Sequence, residues 1–323
     1  MRRREFITLL GGTAAWPLAA RAQSAGSVSR IGVLWPGVTP PASPRMESFR
    51  RGLREQGYVD GRNVAIELRY SSEGPQHLPE LAAELVRMNV DLIYTAGDLA
   101  PKVAQQATRT IPIVAITDDM LGAGLVASLS EPGANITGLT ILASELSAKR
   151  LEILKNIVPG ASRVAALSDP TTGRSQITAT QNAAQFLNVD LQILEVRHRD
   201  DLARAFETAR KERAEALSTF SSPFLASLYR EIIRLAEENQ LPAIYQWREH
   251  VEAGGLASYG ANLAEMWRQS AHMVGKVLGG AKPSDMPVEQ PAKLELVINH
   301  NTAKALGLEL PLALLIRADD LID

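Results

Sequence analysis

The feature that most constrains the fold is a regular alternation of strand-like and helix-like segments along most of the chain. The segment RIGVLW (30–35) is continuously apolar except at its start, and residues 44–56 carry apolar side chains at helical spacing. The segment NVAIELRY (63–70) then alternates apolar and polar residues, as a half-buried strand does. About ten strand segments alternate with helices as far as residue 278, which predicts parallel sheets with both faces covered by helices.

The loop after the first strand is rigid and carries a large aromatic residue. It contains Trp35 and one glycine, and three prolines precede Ser43, a residue suited to cap the following helix. The loop lacks both the glycines and the lysine of a phosphate-binding loop. We therefore expect the prolines to hold Trp35, Thr39 and Ser43 at the rim of a cleft.

The N-terminal residues 1–22 have the composition of an export signal. A basic start precedes an apolar run from Phe6 to Ala20, and Ala20-Arg21-Ala22 forms a small-x-small cleavage site. Arg3-Arg4 and the residues after them resemble the twin-arginine export motif. The apolar run is too short to span a bilayer. The sequence therefore predicts a signal peptide at 1–22 and a periplasmic location.

Charge and cysteine content exclude several classes of protein. Of 34 basic and 36 acidic residues, four arginines and one glutamate fall in the leader, so 30 and 35 remain, a net charge of −5. This balance gives no basic surface for nucleic acid. The chain has no cysteine, which excludes disulfides, thiolate metal sites and a cysteine nucleophile. No second apolar run approaches the length of a membrane span, so we expect a free, soluble protein after export.

The chain lacks a convincing catalytic or cofactor motif. Residues 122–127 fit the pattern GxGxxG/A, but the preceding strand ends near Thr117, and Asp118 and Asp119 would repel a pyrophosphate. There is no GxxxxGK[ST] loop and no GxSxG elbow. The five histidines lack metal-ligand spacing, and His250 is expected on a solvated helix turn. We therefore expect no enzyme, no cofactor and no metal.

Aromatic, hydroxyl and carboxyl side chains cluster instead near strand ends. Tyrosine and tryptophan there offer flat contact area for a small planar ligand. Hydroxyls beside helix N-termini can bind a carboxylate. Asp98, Asp118 and Asp169 could bind an ammonium group, although helix capping accounts for Asp98 and Asp169 almost as well.

From Arg30 to Asp323 the chain resembles the ABC transporter substrate-binding protein family that includes tryptophan and other aromatic amino-acid binders. The resemblance is carried by ESFRRGLREQGYVDGRNVAIELRYSSE, LAAELVRMNVDLIYTAG, IPIVAI, GLVASLSEPGANITGLT, LPAIYQWREHVEAGGLASYG and PVEQPAKLELVINHNTAKALGLELP, with RADDLID at the end. It implies a type I periplasmic binding protein, an α/β fold of two Rossmann-like doubly wound lobes joined by a three-crossover hinge, with one lobe formed by 28–140 plus 246–284 and the other by 141–245 plus 285–323.

The resemblance also implies a set of ligand-binding residues in the cleft between the lobes. They are Trp35, Gly37, Thr39 and Ser43 in the first loop; Thr95, Gly97, Asp98, Thr117 and Asp118 after the third and fourth strands; Asp169, Thr171, Ser221 and Ser222 in the second lobe; and Tyr245, Gln246 and Tyr259 near the hinge. The family commonly has Asn-Pro where this chain has Asp169-Pro170, and Asp-Pro where it has Ser222-Pro223. An amino-acid ligand therefore does not follow from the resemblance alone.

The implied function is capture of a small aromatic or amino-acid-like molecule. The implied partners are that molecule and an ABC permease with its ATPase, and the protein is expected to be a monomer. A soluble periplasmic sensor that reports its ligand to a signalling receptor is the alternative on the same fold. A third alternative, an enzyme, requires that a bound ligand be consumed.

Overall fold

The computed structural model describes residues 28–37, 43–71 and 75–323. The leader at 1–22 and the expected ligand contact Thr39 lie outside the described residues. Within these ranges the chain forms twelve strands and twelve α-helices. No helix of the described ranges is both long and apolar enough to cross a lipid bilayer.

The first sheet, in the described part of the chain, has five parallel strands in the order β2-β1-β3-β4-β5. Its buried side chains point alternately into two apolar clusters, with Val33 and Tyr94 in one and Leu34 and Ile93 in the other. The sheet is therefore covered on both faces, as its continuous apolar strands predict. Its elements are β1 (Ser29–Trp35), α1 (Pro44–Glu55), β2 (Val64–Tyr70), α2 (Leu78–Arg87), β3 (Leu92–Ala96), α3 (Leu99–Ala107), β4 (Ile113–Thr117) and β5 (Ile136–Thr140).

The second sheet has the strand order β12-β11-β10-β9-β8-β6-β7. Its first elements are α4 (Ala143–Ile157), β6 (Arg163–Ser168), α5 (Arg174–Phe186), β7 (Asp190–Glu195), α6 (Asp201–Lys211), β8 (Ala216–Thr219), α7 (Pro223–Ser227), α8 (Tyr229–Glu238), β9 (Ala243–Tyr245), α9 (Arg248–Glu252) and β10 (Ala257–Ala261). Helix α10 (Leu263–Leu278) follows β10 but packs on the first lobe, and the second sheet is completed by β11 (Leu294–Asn299), α11 (His300–Ala305), α12 (Leu312–Arg317) and β12 (Asp320–Ile322).

Three features of this sheet differ from the sequence prediction. The alternation of strands and helices predicts one helix after β8, but the structure has two, α7 and α8, divided at Leu228. Strands β11 and β12 were not predicted. Strand β11 pairs antiparallel with β10, so the prediction of wholly parallel sheets is wrong at this pair. The physical reason is that α10 leaves this sheet to pack elsewhere, so the chain returns as a neighbouring strand without a covering crossover helix.

The chain passes between the two lobes three times within the described ranges. It leaves the first sheet after β5, returns at Asn262 before α10, which packs on α1, and leaves again between residues 289 and 294. Strand β10 pairs with β9 in the second sheet, and Glu289 forms a bridge with Leu139 of the first. By strand pairing, β10 therefore lies with the second sheet, and residue 289 lies beside the first.

Helices α1 and α10 pack unusually closely in the first lobe. A Cβ atom on Gly52 of α1 would lie 2.3 Å from the carbonyl oxygen of Arg268 and 2.8 Å from Cβ of Ala271, both in α10. Only glycine allows this approach. The contact matters for the site because α10 also carries Trp267, on which the cleft residue Trp35 packs.

Candidate ligand-binding cleft

A cleft of about 1120 Å³ lies between the two lobes. On the first lobe its wall follows β1 and β2, and on the second it follows β6, β7, β8 and β9. Carboxyl ends of parallel strands meet at one edge of each sheet, and this edge is where ligands bind in doubly wound folds. The topology therefore places a cavity of ligand size where the sequence predicts one.

Trp35 forms the aromatic wall on the first lobe. Its side chain is 7% exposed and its ring centroid lies 5.2 Å from that of Trp267. Tyr94 contacts Trp267 edge-on at 5.5 Å, and the Tyr94 hydroxyl lies 2.8 Å from Oγ of Ser270 in a hydrogen bond. Trp35 is thus both a core residue and a cleft residue, and its packing fixes the ring that the cleft meets.

The loop after Trp35 begins with two residues that line the cleft and shape its backbone. Gly37 has φ +136°, a conformation that favours glycine, and its N–H donates to the carbonyl of Trp35 (3.2 Å). Ser43 caps α1, since its Oγ accepts the N–H of Met46 at 3.2 Å. The cap and the Pro44 that follows it agree with the sequence prediction for this helix.

Two aromatic residues that the sequence analysis did not single out form the wall on the second lobe. They are Phe224 of α7 and Tyr229 of α8. The Tyr229 ring stacks on His250 with centroids 5.0 Å apart, and the Arg230 guanidinium lies 5.2 Å from the same ring. Both aromatics lie in the first turns of helices after β8. The sequence analysis looked for ligand contacts at strand ends, and extending that search to the next helix turns would have included them.

Asp169 brings a fixed carboxylate to the cleft. It follows β6 and is 4% exposed, and its Oδ1 accepts from the backbone N–H (2.7 Å) and the hydroxyl (2.5 Å) of Thr171. Among the described residues, its buried Oδ2 has no hydrogen-bond partner. Buried carboxylate oxygens nearly always accept a hydrogen bond, so Asp169 has the capacity to accept from one further donor, and its role as a ligand contact stays a prediction.

Five predicted contacts line the cleft, and a second group joins the lobes instead. Ser221 of the second lobe donates its hydroxyl to Oδ1 of Asp118 of the first lobe at 2.6 Å. Oδ1 of Asp98 accepts the backbone N–H of Asp118 (2.9 Å). Gly97, at φ +74°, lies so close to Pro223 that an added Cβ would be 2.9 Å from its Cγ. The five that line the cleft are Trp35, Gly37, Ser43, Asp169 and Thr171.

The residues that join the lobes include a buried group of acids. Burial raises the pKa of Asp98 to about 6. Burial and the neighbouring Asp98 raise the pKa of Asp118 well above its ordinary value, and Asp169 adds to this effect. Arg150 opposes it as the nearby cation, although its own burial lowers its pKa to about 10. The acids therefore outnumber the cations at this contact.

The remaining predicted contacts do not line the cleft, and most take part in packing within their lobes. Oγ of Ser222 accepts the N–H of Leu225 as the cap of α7 (2.9 Å). Nε2 of Gln246 donates to Oγ1 of Thr219 (2.9 Å). The whole group is Thr95, Thr117, Ser222, Tyr245, Gln246 and Tyr259.

The expectation for His250 is wrong. The side chain is 2% exposed, stacked on Tyr229 and edge-on to Tyr245 (5.5 Å), rather than solvated on a helix turn. Both ring nitrogens are without a hydrogen-bond partner within the described ranges. Burial lowers the pKa of His250 to about 3, so the ring is neutral. No group of three or more His, Asp or Glu side chains that could hold a metal ion occurs in the described ranges.

Comparison with known proteins identifies the family. Residues 32–322 match the family model described as ABC transporter substrate binding protein. The chain belongs to this family. A protein named tyrosine-binding protein from Clostridioides difficile (strain R20291) is 26% identical over 274 residues, which cover 84% of this chain and 78% of that protein.

Solved structures of substrate-binding proteins share the fold. A domain from Streptococcus pneumonia, solved in complex with L-Trp, is 25% identical and superimposes with a TM-score of 0.83 over 92% of this chain and all of that one. A ligand-free, open substrate-binding protein with adhesive properties from Clostridium difficile is also 25% identical, with a TM-score of 0.63 over 91% of this chain and 99% of that one. The two lobes thus form a type I periplasmic binding fold, and the family is one of binding proteins rather than enzymes.

Proposed function

We propose that the chain is the periplasmic substrate-binding component of an ABC importer, and that it captures a small aromatic, amino-acid-like molecule by closing its lobes. In this proposal the leader at 1–22 directs export by the twin-arginine route. The mature chain then works as a free monomer and delivers its ligand to a membrane permease driven by an ATPase. Membership of the substrate-binding family supports this role.

One observation carries the choice of ligand class. The cleft is lined by an aromatic ring on each lobe, Trp35 on the first and Tyr229 on the second, and by Asp169 of the second lobe. Aromatic rings bind a flat apolar group, and a carboxylate oxygen without a partner among the described residues suits an ammonium group. An aromatic ring and an ammonium group together define an aromatic amino acid or a close analogue.

The relatives support the same ligand class. One is named for tyrosine binding, and another was solved with L-Trp. The arrangement of the lobes also supports closure around a ligand, because at equal sequence identity this chain superimposes better on the L-Trp complex than on the open, ligand-free structure. A ligand that contacts both walls only in the closed arrangement stabilises that arrangement.

The direct test is to identify the ligand of the leader-free chain, residues 23–323. We expect mass spectrometry of the purified protein to detect an aromatic amino acid or analogue. Calorimetry on unfolded and refolded protein should then show binding of L-tyrosine or L-tryptophan and much weaker binding of L-leucine. Equal affinity for L-leucine, or consumption of the bound compound, would contradict the proposal.

Transport and export need separate tests. Cells that lack this chain should lose uptake of the identified compound and regain it with the wild-type gene. Replacing both Arg3 and Arg4 by lysine should retain the protein in the cytoplasm if the leader uses the twin-arginine route. Normal export of this variant would contradict the route, and normal uptake without the chain would contradict the transport role.

A further inference from the structure

Two residues expected to bind ligand bind each other across the cleft instead. Ser221 follows β8 in the second lobe, Asp118 follows β4 in the first, and their side chains are 3% and 5% exposed. The oxygen atoms of the hydrogen bond between them are 2.6 Å apart, which is the length of a hydroxyl-to-carboxylate bond. This contact exists only while the lobes are together, and separating the lobes would expose both side chains to water.

The surroundings of Asp118 make its burial costly while it is charged. Asp98 lies beside it and already accepts the backbone N–H groups of Asp118 and Asp119. Asp119 adds to the pKa increase of Asp98, and Asp169 of the second lobe adds to that of Asp118. Arg150 of α4 is the cation that opposes the increase at Asp118. Two buried carboxylates that influence each other cannot both stay charged without a large electrostatic cost, so a proton bound by either of them relieves it.

We propose that Asp118 and Ser221 form a proton-linked latch: when the lobes close, the Asp98–Asp118 pair takes up one proton from solvent, so the closed arrangement becomes more populated as pH falls. The inference rests on the hinge closure of the proposed function but not on the identity of the ligand. Asp118 and Ser221 are therefore positioning residues that set the balance between open and closed forms.

The sign of the effect follows from the direction of the two pKa shifts. In this arrangement of the lobes, burial raises the pKa of Asp98 from its ordinary value of 3.8 to about 6 and raises that of Asp118, although the hydrogen bond from Ser221 opposes the shift of Asp118. Opening the lobes would return the two acids to water and so reverse these shifts. Closed protein thus holds more protons than open protein between about pH 7 and pH 4, and the ratio of closed to open forms rises as pH falls, by at most about tenfold per pH unit for one proton. The same linkage makes ligand affinity rise toward acidic pH.

The chain has no cysteine, so spin labels can be attached at two introduced cysteines only. Suitable positions are the exposed Lys102 of α3 in the first lobe and Gln181 of α5 in the second. Double electron–electron resonance on the ligand-free Lys102→Cys, Gln181→Cys protein should show a growing short-distance population from pH 8 to pH 5. In this background the double variant Asp98→Asn, Asp118→Asn should remove most of the pH dependence, and Ser221→Ala should lower the short-distance population at each pH.

The control is Asp91→Asn. The Asp91 carboxylate accepts the N–H of Arg30 (2.7 Å) at the opposite end of β3 from Asp98, so this variant should keep the wild-type pH dependence. A wild-type distance distribution that does not change with pH, or an Asp98→Asn, Asp118→Asn protein that keeps the full dependence, would overturn the latch. A single unchanged distance in all variants, with and without saturating L-tyrosine, would instead contradict hinge closure and with it the proposed function.

Discussion

The Asp169→Asn substitution tests the choice of ligand class most directly. Asparagine keeps the size of the side chain and retains an oxygen for the two bonds from Thr171, so the loop should hold its shape. What changes is Oδ2, a carboxylate oxygen without a partner in the described ranges, which becomes an amide N–H₂ or a neutral oxygen. The substitution therefore removes the attraction for an ammonium group with little change in packing.

The expected magnitude follows from the burial of Asp169. A hydrogen bond to a charged group contributes about 1.5 to 3 kcal/mol, and the 4% exposure of Asp169 leaves little water to screen it. Each 1.4 kcal/mol is about tenfold in Kd, so Asp169→Asn should weaken L-tyrosine by roughly 10- to 100-fold. For 3-(4-hydroxyphenyl)propionate, which has no amine, the affinity should be unchanged or improved.

The assay is calorimetry with both compounds on wild type, Asp169→Asn and the matched variant Asp119→Asn. Only the affinity of Asp169→Asn for L-tyrosine, the compound with the amine, should fall. An equal loss for the two compounds would show that Asp169 shapes the loop rather than binding the ammonium group. No loss for either would place the ammonium group elsewhere in the cleft.

The remaining predictions concern stability and closure. His250→Phe removes two buried ring nitrogens that have no partner in the described ranges. Burial holds the pKa of His250 at about 3 in the folded chain, so wild type loses stability as pH falls and the variant does not; the difference in unfolding free energy should therefore increase by about 2 kcal/mol from pH 7.5 to pH 5, measured by urea titration. A difference that does not change with pH would contradict this. Gly52→Ala should lower the free energy of unfolding by about 1 to 3 kcal/mol, because the added Cβ would clash with the carbonyl oxygen of Arg268. An unchanged melting temperature would show that α1 and α10 can move apart without cost. Gly97→Ala places a Cβ against Pro223 and should weaken ligand affinity and shift the spin-label distances toward the open form, unlike Gly61→Ala, a surface glycine that also has positive φ.

The sheet architecture could be predicted from sequence because each signal is local. The apolar run at 30–35 and the alternation at 63–70 are set by which faces of a strand are buried, and they became β1 and β2. Strand β11 (Leu294–Asn299) was missed because the chain returns to the second sheet without a helix, so the alternation of strands and helices does not predict it. The break at Leu228 carries neither glycine nor proline, so no local residue pattern predicts it.

The site was predictable only in part, because its decisive feature is not local. Strand ends in a doubly wound lobe all point toward the same edge, and this rule found Trp35, Asp169 and Ser221. Whether such a residue contacts a ligand or the other lobe depends on the distance between the two lobes at that residue. Trp35 and Asp169 face the open part of the cleft, whereas Ser221 lies where the lobes touch.

Residues that line the cleft and residues that join the lobes should affect ligand affinity in different ways. A ligand that requires the closed form binds with an apparent Kd equal to its intrinsic Kd divided by the closed fraction. On the proposed function, changes at Trp35 or Tyr229 should alter the intrinsic Kd and hence the choice of ligand. Changes at Asp118 or Ser221 alter the closed fraction and should change the affinity for every ligand by the same factor. Measuring L-tyrosine and a weaker analogue on Ser221→Ala separates the two: an equal factor for both supports the latch, and a change in their ratio would return Ser221 to the ligand-binding wall.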